Sequence, residues 1–193
     1  LYVPIHQADR LSRYVGADDR VPPLNRLSTQ DWARTKENTR RAVEEVAREL
    51  LELYASRASV VGHAFNPDTP WQAELEASFP YVETEDQLLA LRAVKQDMES
   101  PHPMDRLIFG DAGSGKTEVA MRAAFRMVLN GKQTAMLVPT TILSKQHYET
   151  FFERFSAFGA KVILLNRFVT DKERKSAAGM IADGTADVVI GTH

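Results

Sequence analysis

Eight consecutive residues carry the clearest chemistry in the chain: Gly110, Asp111, Ala112, Gly113, Ser114, Gly115, Lys116 and Thr117. They satisfy Gly-x-x-x-x-Gly-Lys-Thr, a spacing that wraps main-chain amides around a polyphosphate. Glycines at 110, 113 and 115 let the backbone curl without Cβ clashes. The curled N–H groups form an anion nest, and the dipole of a helix opening there adds positive potential. Lys116 brings a full charge to the β- and γ-phosphates, and the Thr117 hydroxyl is suited to hold Mg²⁺. A chance match in a chain of this length has a probability on the order of 1 in 100. The pattern also follows an apolar stretch and opens a helical one. ATP with Mg²⁺ is therefore the expected ligand, with Lys116 and Thr117 as the candidate catalytic residues.

Turnover needs more than a phosphate cradle. An acidic residue on a neighbouring strand must hold Mg²⁺ through water, and another group must orient the attacking water. No strand-ending Asp or Glu pair follows the loop, and Asp187 precedes its strand. This stretch alone is expected to bind nucleotide poorly or to be inactive.

The elements that must position the loop read as strand and helix in alternation. Leu107-Ile108-Phe109 predicts a short buried strand into the loop, and Gly115–Asn130 the helix out of it, stopped by Gly131. Further strands are predicted over Ala135–Val138, Val162–Leu165 and Val188–Ile190. Thr84 caps a helix with Leu88, Leu91, Val94 and Met98 on one face. Leu143, Phe151, Phe152 and Phe155 give another helix an apolar, core-facing side. Thr170 and Glu173 form a capping box for a helix that Gly184 closes. Apolar strands alternating with amphipathic helices indicate a parallel sheet covered on both faces.

Upstream the pattern differs. Leu1–Ile5 reads as one strand, at an edge or terminus because of Pro4. Gly16 to Pro23 reads as a loop. Ser28 is an N-cap with Asp31 in capping-box register, and Leu27 and Trp32 form a hydrophobic staple. Val43, Val46, Leu50, Tyr54, Ala58 and Val61 continue an apolar stripe to a stop at Gly62. Its mixed charges read as a solvated face. Pro67 and Pro70 mark a break. Three regions are thus expected: 1–26, a linker helix over 27–66, and an α/β domain over 67–193.

Composition narrows the classes. The chain has no cysteine among 193 residues, which excludes disulfides and thiolate metal sites and fits a reducing compartment. Its five histidines are scattered, so no structural metal is expected. The formal net charge is −2, which argues against nucleic-acid binding by bulk charge but not through backbone amides and helix N-termini. No apolar run approaches the roughly 20 residues that span a bilayer. A first residue other than methionine, and a last residue directly after an apolar strand, suggest a piece of a longer protein.

Four separated pieces, in order, resemble the first motor lobe of superfamily-2 helicases and translocases. Phe79-Pro80 with Thr84-Glu85-Asp86-Gln87 is similar to an adenine-recognition motif. The glycine loop is the second piece. Leu137-Val138-Pro139-Thr140-Thr141-Ile142-Leu143, with Gln146-His147, resembles motif Ia. Ile190-Gly191-Thr192-His193 resembles motif Ib. Within that superfamily the chain most resembles the bacterial transcription-repair coupling factors. Met104-Asp105-Arg106-Leu107 leads into the loop in their style and Lys116-Thr117-Glu118-Val119-Ala120 leads out of it. Arg167-Phe168 resembles their Ser-Arg-Phe. Leu1-Tyr2-Val3-Pro4-Ile5 with Leu11-Ser12-Arg13-Tyr14 resembles the end of their polymerase-interacting barrel. Ala112 and Asn166 depart from the usual valine and serine.

The resemblance implies a partial RecA-like P-loop parallel sheet, preceded by a long linker helix and the last strand of a small β-barrel. It implies a bacterial cytoplasmic ATPase that translocates on double-stranded DNA, displaces stalled RNA polymerase and couples transcription to nucleotide excision repair. The β subunit of the polymerase would bind through the barrel, and an excision-repair protein through regions outside this chain. Gln87 and Phe79 would serve the adenine. Thr140, Thr141, Arg167, Gly191 and Thr192 would contact DNA. Other readings of these residues stay open. Gln87 also has capping-box spacing from Thr84, and Phe79 could be core. Thr141 could merely cap a helix, and Arg167 could form a surface ion pair. Alternatives to a coupling factor are a RecG-type branched-DNA helicase and a polymerase-docking module carried by the N-terminal strand and long helix. A small-molecule P-loop kinase fits the strand-end segments poorly.

Overall fold

The computed structural model describes residues 3–11 and 31–193. They fall into two compact units, Leu1–Tyr54 and Ala55–His193. The expected loop Gly16–Pro23, the Ser28 cap and Leu27 lie outside the described residues.

In the first unit, the strand expected over Leu1–Ile5 does not form in its described part. Val3 and Pro4 belong to no ladder, and Ile5–Arg10 is a 3-10 helix. The Gln7 N–H donates to the Pro4 carbonyl, so the proline begins a turn, a role that needs no N–H of its own. Helix α1, Asp31–Ser59, follows and spans about 43 Å at 1.5 Å per residue. It ends before the expected stop at Gly62. Val43, Val46 and Leu50 form the anticipated stripe, yet they are more than 45% exposed.

The second unit is built on a three-stranded parallel sheet. Strand β1 is Thr134–Leu137, β2 is Val162–Leu165 and β3 is Val188–Gly191. The order β1-β3-β2 places β3 in the centre, with Leu137 and Leu165 both opposite Gly191. Helices α2 (Pro70–Ala77), α3 (Glu85–Glu99) and α4 (Lys116–Leu129) precede the sheet. Helices α5 (Thr141–Phe155) and α6 (Asp171–Ala182) connect its strands. Pro70 opens α2 as its first residue, the helical position that tolerates a missing N–H, with Thr69 as N-cap.

The main core joins Leu75, Met121, Phe125, Phe151, Phe155, Val162, Val188 and Ile190. Phe125 lies 5.1 Å from Phe155, and Phe155 5.3 Å from Phe151, ring centroid to centroid. Phe152, expected in the core, is 52% exposed and stacks on Tyr148. It sits one residue beyond the buried face, about 100° round the helix. A second cluster joins Leu91, Val94, Met98 and Val119. Leu88, expected with them, is 40% exposed and lies outside this cluster.

The predicted buried strand Leu107–Phe109 is not formed. Leu107 and Phe109 are more than 80% exposed, and only Ile108 packs, against the α3 cluster. The reason is a missing neighbour: no described strand lies beside it, and an extended segment without a ladder is not a strand. Leu137 is likewise largely exposed on the outer edge strand β1, so the expected cover on both faces is incomplete there.

Candidate nucleotide and nucleic-acid site

The glycine loop sits at the N-terminus of α4, where Gly115 is the N-cap in left-handed conformation at φ +81°. Gly113 is also left-handed, at φ +79°. Both angles are those only glycine adopts without strain. The Ser114 N–H donates to the Asp111 carbonyl at 3.2 Å, closing the turn. The Lys116 ammonium donates to the carbonyls of Gly110 and Asp111, each at 2.7 Å, and approaches Ser114 Oγ at 3.4 Å. Its charge therefore lies within the curl. Gly110–Gly115 curls into α4, whose first two residues are Lys116 and Thr117. The arrangement fits a triphosphate: a positive helix end, two left-handed glycines and an ammonium converge on one point.

Gln87 proves to have two roles at once. Thr84 Oγ1 accepts from the Gln87 N–H, and Gln87 Oε1 accepts from the Thr84 N–H at 2.9 Å, so the capping box is complete. Its Nε2 meanwhile donates to the Ser114 carbonyl at 3.0 Å. The start of α3 is thereby tied to the phosphate loop. A Cβ on Gly115 would collide with that same amide nitrogen.

Beside the loop lies a cleft of about 700 Å³, lined by Phe79, Tyr81, Gln87, Gly113, Gly115 and Thr117 among others. That volume falls within the ordinary range of small-molecule pockets. Phe79 and Tyr81 meet edge to face at 5.5 Å. Thr117 thus shares one cleft with the aromatic segment, where the sequence placed adenine recognition.

Behind Phe79 is a set of buried charges that the sequence reading missed. Arg122 donates to Glu118 at 2.8 Å and to Glu83 at 2.6 Å; Arg154 donates to Glu118 at 3.2 and 3.3 Å. The Arg122 guanidinium holds the Glu83 carboxyl below its ordinary pKa. Desolvation alone would lower the Arg122 pKa, but its bonds to Glu83 and Glu118 outweigh this and raise it. One turn on, the buried Arg126 donates to the Asn66 carbonyl at 2.7 Å and to Glu99 at 2.5 Å. The available signal was Arg122 and Arg126 at helical spacing on the otherwise apolar side of α4.

The remaining candidates gather at one end of the sheet. Thr140 and Thr141 follow β1, Arg167 follows β2, and Gly191 and Thr192 end β3. The cap of α5 is Thr140, not Thr141: its hydroxyl accepts from the Leu143 N–H at 3.2 Å. Asn166 donates through Nδ2 to Ser144 Oγ at 3.0 Å and accepts from the Phe168 N–H at 2.9 Å. These bonds fix the turn that exposes Arg167, whose guanidinium lies over Phe168. Gly191 is required by close approach: an added Cβ would stand 2.6 Å from the Leu165 carbonyl oxygen. Arg167 has no ion pair among the described residues. No helix among these residues is long and apolar enough to cross a membrane, and no group of three potential metal ligands occurs.

Comparison with known proteins agrees with this geometry. Residues 84–193 match the family described as DEAD/DEAH box helicase. Over all 193 residues the chain is 56% identical to the transcription-repair-coupling factor of Mycobacterium tuberculosis and 49% identical to that of Bacillus subtilis. It spans 16% of the length of each. A structure described as RecG bound to three-way DNA junction superposes with a TM-score of 0.68 and 38% identity. That match covers 74% of this chain and 20% of RecG. The phosphate loop, the three parallel strands and the matched residues together show that the chain belongs to the DEAD/DEAH box helicase family, with a partial RecA-like fold.

Proposed function

We propose that this chain is the nucleotide-gripping part of an ATP-driven double-stranded DNA translocase of the coupling-factor type. The observation that carries the reading is a preformed phosphate loop, with Lys116 and left-handed Gly113 and Gly115, in a chain similar along its whole length to coupling factors. ATP is the substrate. Mg²⁺, when bound, neutralises charge on the phosphates, and Thr117 is the residue that would hold it. Lys116 binds the β- and γ-phosphates, and the loop amides orient them. Gln87 and Phe79 shape the base side of the cleft. Thr140, Thr141, Arg167, Gly191 and Thr192 present hydroxyls, amides and one cation to a DNA backbone, contacts that position without reading sequence.

The finer assignment is displacement of stalled RNA polymerase, with docking through residues 1–26, a linker over 27–66 and a motor lobe from 67, in a bacterial cytoplasm. The test uses the full-length protein. Its ATPase is expected to rise with double-stranded DNA and to fall at least a hundredfold for Lys116→Ala. An ATPase indifferent to DNA would refute the translocase reading. Release of a stalled elongation complex in an ATP-dependent assay tests the polymerase step.

The match to RecG supports a second reading, a branched-DNA helicase. Stimulation by a three-way junction far above that by linear duplex would favour it. Should removal of residues 1–63 leave polymerase binding intact, docking by the N-terminal segment would be ruled out.

A further inference from the structure

Two guanidiniums from different helices lie against one aromatic ring. The Arg122 guanidinium carbon, on α4, is 5.4 Å from the Phe79 centroid, and that of Arg154, on α5, is 5.9 Å. The Arg122 and Arg154 side chains are only 3% and 15% exposed. Glu118 accepts from both, Glu83 accepts from Arg122, and the Leu75 carbonyl accepts from Arg154 at 2.9 Å. Their partners come from three segments: the end of α2, the stretch before α3 and the first turn of α4.

Buried charge is costly unless paired and hydrogen-bonded. An apolar filling would close the same space at less risk, so the network is informative about position more than about stability. Glu118 directly follows Thr117, and both line the cleft that Phe79 lines. The network therefore links the phosphate end of that cleft to its aromatic wall through one carboxylate.

We propose that Arg122 and Arg154 are positioning residues that hold the Phe79 ring at a fixed place relative to the phosphate loop, so that a purine nucleotide meets a preset wall. This rests on the nucleotide reading above. Phe79 contacts the base and the arginines act through it; Arg154 also borders the cleft, and the double variant with Phe79 separates a direct contact from action through the ring. A ligand with phosphates and no base gains nothing from the wall, which separates this role from general support of the loop.

The experiment measures ATPase kinetics of the full-length protein, with inorganic tripolyphosphate as a competing ligand. Arg154→Met is expected to raise the KM for ATP about tenfold, leave kcat at saturating ATP within about twofold, and leave tripolyphosphate inhibition within about twofold. Arg154→Lys should recover part of the loss. The double variant with Phe79→Leu should be no worse than Phe79→Leu alone, since both remove the same wall. Glu83→Ala, at the surface end of the network, provides a variant with less risk to folding, and should raise KM about threefold. Equal weakening of ATP and tripolyphosphate would overturn the proposal, as would additive effects in the double variant or an unchanged KM in both Arg154→Met and Glu83→Ala. A wild-type protein that turned over no ATP would overturn the nucleotide reading and this proposal together, a result distinct from the other three.

Discussion

At the scale of single residues, two glycines illustrate how backbone conformation divides necessity from tolerance. Gly115 combines φ +81° with a Cβ position already taken by Gln87. Gly115→Ala should cost about 1–3 kcal/mol in urea unfolding and raise the KM for ATP. Gly179, inside α6, has open space around its Cβ position. Gly179→Ala should stabilise by about 0.5–1 kcal/mol, because alanine loses less backbone entropy in a helix. A destabilised Gly179 variant would contradict the open surroundings described for it. The ion pairs make a further prediction. Hydrogen bonding to Arg122 holds Glu83 below its ordinary pKa, and Arg106 does the same for Asp97. Folded-state values below the unfolded ones mean full stabilisation above the unfolded pKa and progressive loss as pH falls through the folded one. Burial holds the His147 imidazole below its ordinary pKa, so urea midpoints should decline modestly below about pH 6.5 and drop further below about pH 4 as the carboxylates protonate. A midpoint unchanged down to about pH 3 would contradict both ion pairs.

At the scale of elements, α5 carries its own internal control. Phe155 is fully buried between Phe125 and Phe151, while Phe152 is half exposed. Phe155→Ala should cost about 3–5 kcal/mol, and Phe152→Ala about 1 kcal/mol or less. Comparable losses would place the core on the wrong face. Much of this was legible in the sequence. Local chemistry dictates the Thr84 and Thr170 capping boxes and the left-handed turn at Gly131, and the apolar runs around 135, 162 and 188 specify strands almost by themselves. What escaped depends on non-local partners. Phe152 differs from its neighbours only by rotation around the helix. Leu107–Phe109 is apolar enough for a strand but has nothing to pair with. Thr140 and Thr141 are equivalent as letters, and only the extended backbone of Thr140, with α5 starting at Thr141, decides the cap. Of the site, the curl of the loop and its place at the start of α4 were legible. The clamp behind Phe79 was not, because Glu118, Arg122 and Arg154 are surface types in composition and become interior only when α2, α4 and α5 meet.

At the scale of the whole molecule, the exposed Leu107 and Phe109 and the open edge of β1 face the same need: an extended neighbour that supplies hydrogen bonds and apolar cover. Hydrogen exchange offers the test. Amides of residues 107–109 should exchange at least tenfold faster than those of β3 in this chain. Equal rates would mean that the segment leading into the phosphate loop is paired after all. The pairing of central β3 with β2 depends on a single close approach. Gly191 brings the end of β3 within 2.6 Å, at its Cβ position, of the Leu165 carbonyl. Every codon change that replaces glycine adds a Cβ, so genetic drift has no harmless first step at this position. Variants there should be scarce in a saturation-mutagenesis library sorted for folded protein, even though the residue carries no side chain.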